Sequence, residues 1–429
     1  MPLTNNHLMA GLRRWLTASS GTTLSPADVQ AARKYIRDYW PKLQRTQTKD
    51  EDSSIGVPYP YLVPAYEAGH DFDFNELYYW DSYFMVQGML DDKHHEDCRE
   101  LVEGILDDLC YLFERFEMIP TATRTYFTGR SQPPLLTSFI FDVYRAYGKD
   151  DDWLTQHMAV AQREYHTVWM GKTKPNARQV YHGLSRYYNV DLTQDLAETE
   201  SGWDYTPRFN RRALDYLPID LNCLLYKYER DFADAARIVG DETAAQTWDN
   251  AAADRRKAVN ELMWDKNRGL FYDYDYAHQK RGTISSLATY YAMWSGLANE
   301  QQSRAMVRAL VRFEAAGGLT TTDNIPINQL LHGTMPIQWA YPNGWAPLHF
   351  LTVKGLERFA YHEEARRIAL KWLRTNLDWF NTHGVFLEKY NVADPDKPPA
   401  KGVYPSQTGF GWTNAVFERF CQDYVDLTE

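Results

Sequence analysis

Apolar residues recur at three- and four-residue intervals along most of this chain. Val29, Ala32, Ile36 and Tyr39 follow that spacing and predict an amphipathic helix ending near Trp40. Its start is marked by Ser25-Pro26-Ala27-Asp28, which supplies a capping serine, a proline at the first helical position and an acid in the first turn. Leu101, Ile105, Leu109 and Leu112 repeat the pattern, with Glu103, Asp107 and Asp108 on another face. Ala365, Ile368, Ala369 and Trp372 do so again near the C-terminus. A joint also recurs: Tyr147-Gly148-Lys149-Asp150 before Trp153, and Val239-Gly240-Asp241 before an alanine-rich helix through Trp248. A glycine past one helix and an acid able to cap the next is how antiparallel helical hairpins turn. Period-two apolar runs are scarce, and Leu270-Phe271-Tyr272-Asp273-Tyr274-Asp275 is the best short strand. The pattern predicts a mainly α chain.

Five irregular stretches, 49–73, 121–134, 191–209, 317–347 and 383–410, gather proline, glycine and aromatics. Loops of this length are uncommon in compact domains unless they are functional. A site mouth built from inter-helix loops accounts for all five. No Gly/Ser linker or break in composition divides the chain, so a single domain is expected, with residues 1–50 as an N-terminal helical arm and 51–429 as the main body.

Composition narrows the function. Lysine and arginine number 46 against 57 acidic residues, and the net charge of −11 opposes the phosphate neutralisation that nucleic-acid binding needs. No stretch approaches the ~18 apolar residues of a membrane span. No apolar run follows Arg13-Arg14, so no secretory signal is expected there. Cys98, Cys110, Cys223 and Cys421 are few and scattered, which predicts free thiols and a cytoplasmic location. The 14 tryptophans, 30 tyrosines and 19 phenylalanines fit either large buried cores or stacking surfaces for sugars.

There is no Gly-rich phosphate loop, His-Glu-x-x-His or Cys-x-x-Cys. His94-His95 beside Asp97 and Cys98 matches no familiar ligand set, and Asp273 with Asp275 is too sparse for a calcium loop. No metal and no cofactor are expected. Two carboxylates in aromatic loops carry more promise. In Glu200-Ser201-Gly202-Trp203-Asp204-Tyr205, Asp204 lies between aromatic residues, a setting that raises a carboxyl pKa and suits a general acid. Phe386-Leu387-Glu388-Lys389-Tyr390 offers a second carboxylate. Glycosidic hydrolysis needs two, one to protonate the leaving oxygen and one to activate water or attack the sugar. Taken alone, a surface ion pair of Glu388 with Lys389 fits the second segment equally well.

Six segments in order resemble the trehalase family of glycoside hydrolases, family 37, from Ile36 to Phe420. They are Pro58 to Pro64 with Glu76 to Phe84, Arg130-Ser131-Gln132-Pro133-Pro134, Glu200 to Asp204, Gln338 to Pro347, Glu388-Lys389-Tyr390, and Gly409 to Asn414. The resemblance implies an all-α (α/α)6 toroid of six helical hairpins, its catalytic domain spanning 51–429, with an inverting mechanism and no cofactor. It implies Asp204 as general acid and Glu388 as general base, their carboxyl groups about 6.5 to 9.5 Å apart to admit a water. Trp80, Asp81, Arg130, Gln132, Arg186, Glu200, Gln338 and Asn343 are then expected to hold sugar, with Trp203, Trp339 and Trp345 as stacking walls.

The chain departs from the family pattern on the leaving-group side. An insert, 65–75, replaces the family's Pro-Gly-Gly-Arg-Phe and puts Asp73 at the arginine, Glu198 replaces a second arginine, and Ala340 follows Gln338-Trp339 where the family has aspartate. Carboxylates there predict a neutral or amino-bearing aglycone over glycerate or phosphate. The expected substrate is a small soluble α-glucoside, trehalose by default. A family 63-like glucosylglycerate or mannosylglycerate hydrolase and a catalytically silent sugar-binding toroid are the alternatives. No nucleic acid or membrane partner is expected, and oligomeric state is open. His332 and His349 flank the Gln338 segment and read as structural.

Overall fold

The computed structural model describes residues 24–66, 74–90, 95–325, 337–400, 402 and 406–425. Asp73, His94, His332 and the side chains of His95 and Asp97 lie outside the described residues. The principal helices are α1 Pro26–Leu43, α2 Tyr79–Val86, α3 His95–Phe116, α4 Leu136–Ala146, α5 Asp151–Glu164, α6 Ile219–Ile238, α7 Glu242–Met263, the short α8 Tyr291–Trp294, α9 Glu300–Ala309, α10 Ala346–Arg358, α11 His362–His383 and α12 Gly411–Tyr424.

They form an (α/α)6 toroid. Helices α2, α4, α6, α8, α10 and α12 make an inner ring in which α4 packs on α6, α6 on α8, α8 on α10, α10 on α12 and α12 on α2. The Tyr83–Phe139 ring contact at 6.4 Å and the bond from Gln87 Nε2 to Asp142 Oδ2 at 2.9 Å join α2 to α4. The ring helices are enclosed near their N-terminal ends, where burial runs right round the helix. All eight residues of α2 are buried, as are Ala346–Val353 of α10. The outer helices α3, α5, α7, α9 and α11 bury one stripe each and follow their inner partners through short turns.

Those turns carry the punctuation read from the sequence. Ser25 accepts from Asp28 N ahead of α1, Asp150 accepts from Trp153 N at 2.8 Å ahead of α5, and Asp241 accepts from Ala244 N at 2.9 Å ahead of α7. Gly384 ends α11 at φ 74°, in the left-handed region glycine favours. Strands Leu270–Phe271 and Tyr274–Asp275 occupy the expected period-two run.

One expectation changes. Helix α1 is not an arm: Val29, Ala32, Ile36, Tyr39 and Leu43 are buried, and it packs along α12 and α11 as the outer member of the sixth hairpin. The stripe that made it look amphipathic is what seats it there.

Candidate active site

Each of the five long loops leads into the N-terminus of an inner helix, so they converge on one end of the ring. Trp80 and Asp81 stand in the first turn of α2. Arg130 and Gln132 precede α4, Glu198 to Asp204 precede α6, Gln338 to Trp345 precede α10, and Glu388 precedes α12. Residues more than three hundred positions apart are gathered by helix starts alone.

Three carboxyl groups lie within electrostatic reach of one another. Asp204 is pushed up to about 6, chiefly by desolvation, with Arg130 opposing and Glu388 adding to the rise. Asp81, 4 % exposed, is pushed well above the carboxylate range, first by burial and further by the charges of Glu388 and Asp204. Glu388 is 1 % exposed, and its Oε2 accepts from Lys389 Nζ at 2.6 Å. The Glu388–Lys389 pair is therefore buried, not on the surface, and Lys389 Nζ also lies 4.9 Å from the centre of the Trp345 ring.

The backbone holds Glu388 from both sides. Its N–H donates to Gln407 O at 3.0 Å, and its carbonyl accepts from Trp412 Nε1 at 3.0 Å. Strand Lys389–Asn391 pairs antiparallel with Asn343–Trp345, opposing Trp345 to Lys389. His349, fully buried and stacked 4.0 Å from Trp372, accepts from Leu319 N at 2.7 Å through Nε2 and lies 2.8 Å from Trp345 O through Nδ1. Its role is to fasten that loop.

The Asp204 loop is fitted as closely. Gly202 has φ 73°, and a Cβ there would meet the Trp80 ring at 2.7 Å, so both conformation and space call for glycine. Tyr205 follows at φ 58°, a left-handed conformation that costs a bulky residue energy and that proteins concentrate at functional sites. Gln132 Oε1 accepts from Trp80 N at 3.0 Å, tying the Arg130 loop to α2.

Several residues expected to hold sugar are engaged by the protein itself. Glu200 is fully buried and its two oxygens are taken by Ser131 N at 2.8 Å, Tyr188 N at 2.6 Å and the Arg178 guanidinium. It welds three loops and has no oxygen left for a ligand. Asn343 donates to Gln338 O at 3.0 Å and accepts from Ala400 N at 2.9 Å. Arg186 donates to Ala177 O, Leu214 O and the Tyr276 hydroxyl. The tryptophans stack on one another: Trp339 and Trp345 lie parallel at 3.8 Å and 3°, and Trp203 and Trp339 at 5.4 Å and 22°. Arg208 sits 4.5 Å over Trp203, held by Asp220 and Asp273.

Glu198 is likewise drawn into the protein. It is 6 % exposed, its Oε1 accepts from Thr206 N at 3.0 Å, and burial pushes it up to about 8. At neutral pH it is a protonated acid, a donor as well as an acceptor, where the sequence alone suggests only a carboxylate.

What the protein leaves unsatisfied points to a ligand. The amide of Gln338, Arg130 Nε and Trp345 Nε1 are buried without hydrogen-bond partners among the described residues. Buried polar atoms are nearly always paired, and a hydroxyl-rich molecule supplies both donors and acceptors. Tyr78, missed from the sequence although it adjoins Trp80, lies beside these residues: its hydroxyl feels the charges of Glu76, Asp81 and Asp204, and its ring lies 6.0 Å from Phe127.

A model of the trehalase family matches residues 17–201 and 189–425. The chain belongs to the trehalase family. It is 31% identical over 438 residues to the cytosolic neutral trehalase of Beauveria bassiana, covering 83% of this chain and 57% of that one. The trehalase-family chain thus spans little more than half the length of that curated relative. Relatives of comparable similarity are named as both cytosolic and periplasmic trehalases. Among solved structures it superposes on neutral trehalase Nth1 from Saccharomyces cerevisiae with TM-score 0.73 and 28% identity, covering 90% and 78% of the two chains. A GH63 mannosylglycerate hydrolase from Thermus thermophilus shares the fold at TM-score 0.64 and 16% identity, covering 90% and 99%. No described helix is long and apolar enough to cross a membrane.

Proposed function

We propose that this chain is an inverting α-glycosidase that hydrolyses trehalose, acting in the cytoplasm without a cofactor. One observation carries the reading: of two carboxyl groups on converging loops, Asp204 is held as an acid at about 6 while Glu388 sits against the ammonium of Lys389. Environments that push paired acids apart assign their roles. Asp204 gives its proton to the glycosidic oxygen as the bond breaks, and Glu388 takes a proton from the water attacking the opposite face of the sugar. Asp81, pushed well above the carboxylate range by burial, contacts a hydroxyl of the reacting glucose, with Arg130 and Gln338 completing its contacts. Neutral Glu198 near Asp204 suits an uncharged second sugar, which favours trehalose over glycerate-bearing glycosides.

The stereochemistry tests this. Proton NMR of the first turnovers should show one β- and one α-glucose per trehalose; two α-anomers would mean retention, and preferential release of glucose from glucosylglycerate would replace trehalose as substrate.

The pH dependence follows from the same group. Asp204 must be protonated in the free enzyme, so kcat/KM should be level below about 6 with respect to this residue and fall about tenfold per unit above it. A pH profile still rising above 7 would show that Asp204 is not the acid.

A further inference from the structure

The six inner helices begin at the active site and end together at the opposite face of the toroid. There a second cavity of about 580 Å3 opens, within the ~300–1,000 Å3 range of small-molecule sites. Every inner helix contributes to it or to the turn that follows: Tyr83 from α2, Asp142 from α4, Asp231 from α6, Trp294 from α8, Arg358 from α10 and Arg419 from α12. None of the residues assigned to hydrolysis lines it.

Its lining holds six cationic side chains against three carboxylates, an excess of positive charge in a chain whose net charge is −11. Four of the cations are engaged. Lys227 is paired with Asp231, Arg230 with Asp249, and Lys354 and Arg419 with Asp423 at 2.8 and 3.0 Å. The other two, Arg145 and Arg358, stand on α4 and α10, opposite each other around the ring. Both are exposed; the Arg145 guanidinium lies 4.8 Å over the Phe141 ring, and neither makes a hydrogen bond or ion pair among the described residues. In the last turn of its helix each also offsets the negative end of the helix dipole. That accounts for the sign of the charge but not for the acceptors between them. Asp231 is 3 % exposed, and its Oδ2 has no hydrogen-bond partner. Asp142 accepts from Gln87 Nε2 at 2.9 Å.

We propose that this cavity binds a small polyol bearing one phosphate or carboxylate group. The anionic group lies on the guanidinium rim of Arg145 and Arg358, whose planar forks suit phosphate and carboxylate, and the hydroxyls donate to Asp231 and Asp142. A neutral sugar leaves the rim unused. Inorganic phosphate leaves the buried acceptor unsatisfied.

Isothermal titration of the full chain tests this with glucose 6-phosphate and gluconate as the phosphate and carboxylate arms, and inorganic phosphate for comparison. One or both polyol anions should bind, and the stronger arm identifies the anionic group. The pair Arg145→Gln and Arg358→Gln should weaken that binding at least about tenfold, because two charge-assisted contacts are lost. Asp204→Asn should leave it unchanged even when trehalose is saturating. Thermal unfolding checks that the double variant is folded, and Arg358→Gln alone replaces it if it is not. No binding up to about 10 mM, a millimolar limit below which specific contacts carry little energy, would overturn the proposal. So would full binding in the folded arginine variants, binding of inorganic phosphate equal to that of the polyols, or displacement by trehalose.

Discussion

Replacing Asp204 by alanine is expected to lower kcat/KM for trehalose by about 100- to 10,000-fold, the usual worth of a positioned general acid. The loss should depend on the leaving group. A glucose alkoxide needs its proton as the bond breaks, whereas fluoride departs from α-glucosyl fluoride without one. The Asp204→Ala variant should therefore hydrolyse the fluoride within about tenfold of the wild-type rate. Equal losses on both substrates would show that Asp204 does something other than protonate the departing oxygen. Desolvation pushes this carboxyl up to about 6, which suits the proposed donor role, so a variant that opens its loop to water should shift the pH profile to lower values.

Glu388 should behave in the opposite way. On the proposed mechanism Glu388→Gln removes the base that activates water, a step both substrates share, so trehalose and α-glucosyl fluoride should each lose about 100- to 10,000-fold. Glutamine is the informative choice. Lys389 is fully buried with its ammonium on Glu388, and removing the partner of a buried charge costs about 3–5 kcal/mol. Glutamine keeps an acceptor for that ammonium, and Lys389→Met made alongside it separates lost chemistry from lost folding. If Glu388→Gln unfolds at the wild-type temperature and still turns over trehalose at more than about a tenth of the normal rate, the base lies elsewhere.

The sequence was informative wherever the physics is local. Ser25, Asp150 and Asp241 cap their helices because a short oxygen-bearing side chain beside a helix start has few other partners. The loops stood out because they are long and rich in glycine and aromatics. The stripe on α1 gave its helix but not its place, since the stripe says that something covers it and not what. Glu200 illustrates the limit at the site. It sits in the same six residues as Asp204 and carries the same charge, yet its oxygens are used by Ser131, Tyr188 and Arg178, and those pairings span 12 to 69 positions. The tryptophans were legible as a group but not as a stack. Lys389 was the hardest case, because an adjacent acid and base on a surface turn and inside a core have the same sequence.

The ring is shut by α1 and α12, the first and last of the described helices. Arg33 of α1 donates to Glu418 of α12 at 2.9 Å across 385 positions, and the two helices complete the sixth hairpin only when both are present. Such a closure joins the most distant parts of the chain, the kind of contact that forms late because its loop entropy must be met first. Trp412, whose indole holds the Glu388 carbonyl, belongs to α12. During synthesis a chain complete as far as α11 therefore has its acid loop and most of its core, while its base waits on the clasp. With Glu388 as the proposed base, a toroid in which α12 has not docked is expected to be inactive.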